Sequence, residues 1–119
     1  RLAEEQGYSD YRLGLIKDSL GWCYRVRGDL PQAVALLEEA CRLAPGVPIL
    51  QEHLAETYRA IGEPGRAATV YLELYEKVRP GHAAARDALL AIAREADAGQ
   101  RAEIHRRLRA VSPPGEAPP

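Results

Sequence analysis

Phenylalanine and methionine are absent from the 119 residues, and the chain has one tryptophan and two cysteines. Without Phe or Met, and with Ala and Leu abundant, the composition suits closely packed helices rather than a thick β core. Two cysteines are too few for a disulfide scaffold, and no CxxC spacing links Cys23 to Cys41. Both fall within helical apolar patterns, which predicts small buried thiols. Lysine is scarce, 2 against 14 arginines, a bias that points to a bacterial genome composition before it points to chemistry. No apolar run approaches the roughly 20 residues of a membrane span, so no membrane insertion is expected. A net charge of −1 excludes nucleic acid and anionic membrane as default partners. No signal-peptide pattern stands at the start, and the cytoplasm is the favoured compartment. A chain opening on Arg1-Leu2-Ala3 is expected to be processed or cut from something longer.

What is present is enough for one domain: 46% hydrophobic and 28% charged residues permit a packed core and argue against wholesale disorder. The exception is the end of the chain. Residues 112–119, Ser-Pro-Pro-Gly-Glu-Ala-Pro-Pro, are expected to form an extended tail, because proline removes donors and blocks helix.

Shifting the sequence by 34 aligns Leu20 with Leu54, Gly21 with Ala55, Tyr24 with Tyr58, Arg25 with Arg59, Gly28 with Gly62, Asp29 with Glu63 and Ala33 with Ala67. Each unit reads as two helices. Leu13, Ile16, Leu20 and Cys23/Tyr24 form one apolar stripe, with Asp10 as its expected N-cap. Gly28 ends that helix, Asp29 caps the next and Pro31 falls in its first turn. Ala33, Leu37, Ala40 and Ala44 form the second stripe, stopped by Pro45-Gly46. The next unit repeats this through Leu50, Leu54, Tyr58 and Ile61, then Gly62, then Ala67, Val70/Tyr71, Leu74 and Val78 up to Pro80-Gly81. Turns this short fold each helical pair back on itself.

The string Leu20-Gly21-x-x-Tyr24-x-x-x-Gly28-Asp29 followed by Ala33, Leu37, Ala40 and Pro45 resembles the tetratricopeptide repeat, and Leu54-Ala55-x-x-Tyr58-x-x-x-Gly62-Glu63 with Ala67, Tyr71 and Leu74 resembles a second copy. Lys17 and Gln51 occupy the slot where the family often has Trp, and Pro80 closes the second copy one residue late. The resemblance implies an all-α, right-handed solenoid of antiparallel helix hairpins. It has repeats at about 14–47 and 48–81, a degenerate third unit at 82–111, and a capping helix. In that third unit Ala88, Ile92 and Ala96 lie 34 beyond Leu54, Tyr58 and Gly62, Asp97-Ala98-Gly99 makes the turn, and Ala102, Ile104, Leu108 and Val111 form a narrow stripe among arginines, as suits a terminal solvating helix. Residues 1–6, matching Leu36 to Glu39 in type, are expected to be the last turns of a preceding unit's second helix.

Catalytic chemistry finds no positive support. His53 and Glu56 share a helix face, but there is no HExxH, no cysteine at ligand spacing, no phosphate-cradling glycine loop and no partnered Ser–His–Asp set. No cofactor is expected. The basic run from Arg101 to Arg109 is broken by Glu103 and carries no aromatic for base stacking, so it reads as a solvated face.

In proteins that the chain resembles, the first helix of each unit lines a concave surface. The residues there, in register at 34, are Asp18, Glu52 and Arg86; Ser19, His53 and Asp87; Trp22, Glu56 and Leu90; Arg25, Arg59 and Ala93; Val26, Ala60 and Arg94. Trp22 lies beside the Leu20–Tyr24 stripe, so a partly exposed indole is expected, and Trp and Arg are enriched at binding hot spots. Some members of the family clamp a terminal carboxylate with Lys, Asn and Arg. The matching slots here hold Asp18, Trp22, His53, Ala83 and Asp87, which disfavours that ligand. The expected function is therefore a non-enzymatic scaffold that holds a peptide or helical segment of a partner protein through Asp18, Trp22, Arg25, Glu52, His53, Glu56, Arg59, Arg86, Leu90 and Arg94. Two rivals stand beside it: a self-associating or structural segment of a longer solenoid, which would make the chain a homo-oligomer, and a regulatory domain of a larger enzyme.

Overall fold

Helix α1 runs unbroken from Leu2 to Arg27 in a computed structural model that describes residues 2–111, without the side chains of residues 2 and 3. The remaining helices are α2 (Leu30–Leu43), α3 (Pro48–Ala60), α4 (Pro64–Glu73), α5 (Ala83–Glu95) and α6 (Ala98–Ala110), with a π-helical turn at Leu74–Val78 prolonging α4. The described residues form an all-helical body of 43 × 36 × 19 Å in which consecutive helices pack on one another. The proline-rich tail at 112–119 lies outside the described residues.

The boundaries follow local chemistry. Asp29 caps α2 by accepting from the Gln32 N–H at 3.4 Å, and Asp97 caps α6 by accepting from that of Gln100 at 2.8 Å. Gly28 and Gly62 take φ of 88° and 81°, the left-handed conformation that ends α1 and α3. The next amides, of Asp29 and Glu63, then bond back to the carbonyls of Tyr24 and Tyr58, both at 2.9 Å. Proline sits in the first turn of α2, α3 and α4, where its missing N–H costs nothing.

Two expectations about α1 are corrected. Asp10 is not an N-cap, and residues 2–6 do not belong to a separate helix, because residues 2–13 contain good helix formers and no proline. The lone Gly7 costs only about 1 kcal/mol in a helix interior, too little to break it. The apolar stripe is also turned outward: Leu13, Ile16 and Leu20 are 42%, 61% and 47% exposed. Cys23, expected to be buried, lies exposed beside that stripe. The face of α1 that meets the fold is Gly14, Asp18 and Gly21. Periodicity identifies which residues share a face, but not whether a neighbour covers it. Cys41 is half-buried, and burial first, then the Asp18 carboxylate, pushes its thiol up to about 12.

The core is continuous from α2 to α6. Leu37, Leu54, Tyr58, Tyr71, Leu72, Leu74, Tyr75, Leu89, Ile92, Ile104 and Leu108 belong to one buried cluster, and Ala40, Ala44 and Leu50 to a second beneath α1. Full burial of one leucine side chain stabilises by about 1.5–3 kcal/mol. Tyrosines fill the bulky sites, and Tyr58 donates its hydroxyl hydrogen bond to Glu38 of α2. Burial and then that carboxylate push the Tyr58 hydroxyl up to about 12.

The third unit departs from the 34-residue register. α3 and α5 begin at Pro48 and Ala83, thirty-five residues apart, and the buried residues Leu50, Leu54 and Tyr58 correspond to Ala85, Leu89 and Ala93. The expected alignment of Leu54 with Ala88 is therefore off by one. The π turn supplies the extra residue, since a π segment accommodates one residue more than an α-helix over the same rise, and this is the displacement already visible in the late Pro80. The turn from α5 to α6 then lacks a glycine, which restores the spacing of the caps at Asp29, Glu63 and Asp97. In place of the glycine cap, Arg101 donates from Nε to the Ala93 carbonyl at 3.0 Å and from Nη2 to that of Ala96 at 2.9 Å. α6 is held to the π turn by Arg107, whose Nη2 and Nε lie 2.6 and 2.9 Å from the Glu76 carboxylate.

A Cβ added at Gly14 would meet Ala44 Cβ at 2.9 Å and the Ala40 carbonyl at 3.1 Å, whereas at Gly7 nothing lies within 4 Å. Gly14→Ala is expected to destabilise by about 1–3 kcal/mol despite alanine's better helix propensity. Gly7→Ala should stabilise by about 0.5–1 kcal/mol; urea denaturation of both variants checks the pair.

The Arg107 hydrogen bonds hold the Glu76 carboxyl below its ordinary value of 4.5. A depressed folded-state pKa adds stability that is present above that value and lost as pH falls through the lower one. Glu76→Gln should therefore lower the thermal midpoint at neutral pH, and the gap to the parent should narrow as pH drops below about 4.5.

Candidate functional site

Asp18, Trp22 and Arg25 recur at i, i+4 and i+7 on α1 and so line one side of it. His53 reaches that side from α3. Its Nδ1–H donates to Asp18 Oδ1 at 2.8 Å, and its ring stacks on Trp22 with centroids 4.1 Å apart and planes inclined by 22°. The Arg25 guanidinium lies 5.6 Å from the Trp22 ring on the next layer. The result is a column of carboxylate, imidazole, indole and guanidinium joining the first helical pair to the second.

Each layer has a physical reason. Asp18 is only 8% exposed, and a carboxylate withdrawn from water needs a charged or hydrogen-bonding partner. His53 fills that role, and the hydrogen bond fixes the plane on which Trp22 rests. Trp22 is half-buried, so the indole keeps accessible surface. A cation over tryptophan contributes about 0.5–1 kcal/mol at exposed sites and more when desolvated. Arg25 Nε is buried and has no hydrogen-bond partner, an unmet donor that costs about 1–3 kcal/mol. Flat, partly desolvated groups with one unmet donor suit recognition of a polar ligand; the column offers no nucleophile and no base held against one.

The other predicted residues lie elsewhere. Glu52 pairs with His82, which caps α5; His82 was not among the predicted residues, since nothing in its spacing marks it. Glu56 and Arg59 are exposed on α3 near Tyr71 of α4, whose hydroxyl is pushed up by burial and then by Glu56, against an opposing effect of Arg59. Arg86 is exposed on α5. Leu90 and Arg94 line a shallow depression with Arg101 and His105 of α6, about 400 Å³ in volume. The ten residues thus occupy several places rather than one.

The thirty-five-residue spacing of α3 and α5 also revises the expected columns. Asp87, not Arg86, corresponds to Glu52, and Ala91, not Leu90, corresponds to Glu56. Arg94 joins the series of Arg25 and Arg59, where Ala93 had been expected; Ala93 is buried in the core.

A feature that sequence reasoning missed is a cleft of about 650 Å³ between α4 and α6. Ala68, Leu72, Ala91, Ile92 and Ile104 make its walls, with Arg59, Glu95 and Glu103 also on its lining. Among the described residues no group of three or more His, Cys, Asp or Glu could hold a metal ion, and no helix is long and apolar enough to cross a membrane. No family model matches the chain, and no curated protein matches it.

The column makes Asp18 and His53 interdependent. His53→Ala leaves a buried carboxylate unpaired and is expected to cost about 2–4 kcal/mol. The Asp18→Ala/His53→Ala double variant should lose clearly less than the sum of the two single losses when the four proteins are compared by chemical denaturation.

Proposed function

We propose that the chain is a non-enzymatic interaction module of the tetratricopeptide type, in which helical hairpins continue one another as a right-handed solenoid. α1, α3 and α5 then line the face that holds a segment of a partner protein. The 34-residue matches between the first two units, their glycine-ended turns and the early prolines of their second helices support that architecture. The observation that carries the functional reading is Arg25 beside Trp22: a half-buried indole topped by a guanidinium whose Nε is buried and unpaired. A partner carbonyl or carboxylate that draws the Arg25 side chain outward beside the indole would accept that hydrogen bond and relieve its cost.

The charges set the kind of partner. Arg25, Arg59 and Arg94 follow one another along the three first helices, while Glu56 and Asp87 provide exposed acid beside them and Glu52 is engaged by His82. A segment of mixed charge, extended or helical, complements such a surface, and complementary charge governs choice of partner more than raw affinity. Asp18 is already paired with His53 and acts as the support of the indole rather than as a contact. A terminal-carboxylate clamp remains disfavoured, since the matching slots are acidic or apolar.

Affinity purification from the native source with the parent chain, Trp22→Ala and Arg25→Ala identifies the partner and tests the site together. Partner recovery is expected to fall at least tenfold in both variants while their far-UV dichroism stays that of the parent, in line with truncation of a hot-spot residue. Unchanged recovery from both variants would place the binding surface elsewhere.

A further inference from the structure

The outward apolar face of α1 has a counterpart inside the same molecule. Shifted by 34, Leu13, Ile16, Leu20 and Tyr24 become Val47, Leu50, Leu54 and Tyr58. In the second unit α2 covers that set, leaving Leu50, Leu54 and Tyr58 at 0%, 6% and 6% exposure. In the first unit Leu13, Ile16 and Leu20 remain 42%, 61% and 47% exposed. One side-chain pattern is thus covered in one unit and open in the other.

We propose that this open face docks an amphipathic α-helix of a partner protein, one that presents to α1 what α2 presents to α3: aliphatic or small residues at i, i+3 and i+7 and a carboxylate at i+4. The template is Val34, Leu37 and Cys41, which pack against the cluster containing Leu54 and Tyr58, with Glu38 accepting the hydrogen bond of the Tyr58 hydroxyl. On α1 the equivalent Tyr24 has the Arg27 guanidinium 5.7 Å from its ring, and Arg12 stands toward the other end of the stripe. A carboxylate arriving at the position of Glu38 meets both the Tyr24 hydroxyl and Arg27. The face is therefore apolar along its centre and basic at its edges, which selects an acidic amphipathic helix.

A second copy of this chain is the poorer occupant. The helix at its opposite end, α6, exposes Arg101, Arg106 and Arg109, which an end-to-end contact would set against Arg12 and Arg27. The face is also separate from the Asp18–Trp22–Arg25 column, so its occupancy does not depend on the function proposed for that column.

The test uses a defined probe: a fluorescein-labelled peptide with the α2 sequence, residues 29–45, carrying Cys41→Ser and a lactam bridge from an Ala35→Lys substitution to Glu39. The bridge holds the helix and so removes most of the ordering cost of binding. Titration with the parent chain, followed by anisotropy, is expected to show saturable binding. Leu20→Asp and Ile16→Asp in the protein should each weaken it at least tenfold; both positions are solvent-exposed, so the fold tolerates them. A Glu38→Gln peptide should bind about tenfold more weakly, as expected for loss of a hydrogen bond to a charged group, while Trp22→Ala in the protein should leave affinity unchanged. Absence of binding to the parent, or binding indifferent to both Asp substitutions, overturns the proposal. So does sedimentation showing that the parent alone dimerises and that Leu20→Asp abolishes the dimer, which would assign the face to a second copy.

Discussion

The closeness of α1 to α2 governs much of what the molecule presents. Gly14 lies over Ala44 and the Ala40 carbonyl, and Gly21 lies over Leu37, with no room at either place for another carbon atom. Two glycines seven residues apart fix the rotation of a 26-residue helix about its own axis. Once that rotation is set, Asp18 and Trp22 must face α3, Lys17 comes within 3.0 Å of Glu39 on α2, and Leu13, Ile16 and Leu20 must face away. Larger residues at the two glycines would favour another rotation and exchange those roles. The hydrophobic effect is non-directional; in α1 it is the steric demand of backbone against side chain that chooses among faces of comparable polarity.

Ionic and polar contacts then tie successive helical pairs across the apolar layer. Asp18 with His53 joins α1 to α3, Glu52 with His82 joins α3 to the start of α5, and Glu76 with Arg107 joins the π turn to α6. Each pairs groups that are partly withdrawn from water, where the loss of one partner is more costly than the pair is favourable. They specify which helix meets which and at what height, which alanine-rich surfaces alone specify poorly.

Much of the local structure was legible in the sequence. The turn glycines, the acidic caps and the early prolines each act through backbone conformation or a nearby N–H, so residue type and spacing suffice to place them. Leu50, Leu54 and Tyr58 of the second-unit stripe are buried because α2 covers them, while Ile61 at the end of that stripe is exposed. The first-unit stripe has the same pattern and the opposite environment, a difference that no local rule contains. The stacking of Trp22 on His53 joins residues 31 apart in sequence through the relative height of two helices, which depends on the glycine contacts described above. Arg101 took over the cap of α5 from six residues beyond its end, a substitution of side chain for backbone geometry that a search for glycine does not find.

The π turn and the glycine-free turn after α5 are a frameshift and its suppressor. Either edit alone would change the registration of everything downstream. Deleting one residue from Leu74–Val78, with the turn keeping its path, would rotate α5 by about 100° about its own axis and put Leu90 where Leu89 is buried. Inserting a glycine before Asp97 would move α6 away from the carbonyls that Arg101 holds and the carboxylate that Arg107 grips. The two irregularities are tolerable only as a pair, so within this chain they form one inherited character rather than two, and a unit transplanted from here into another helical array would have to carry both.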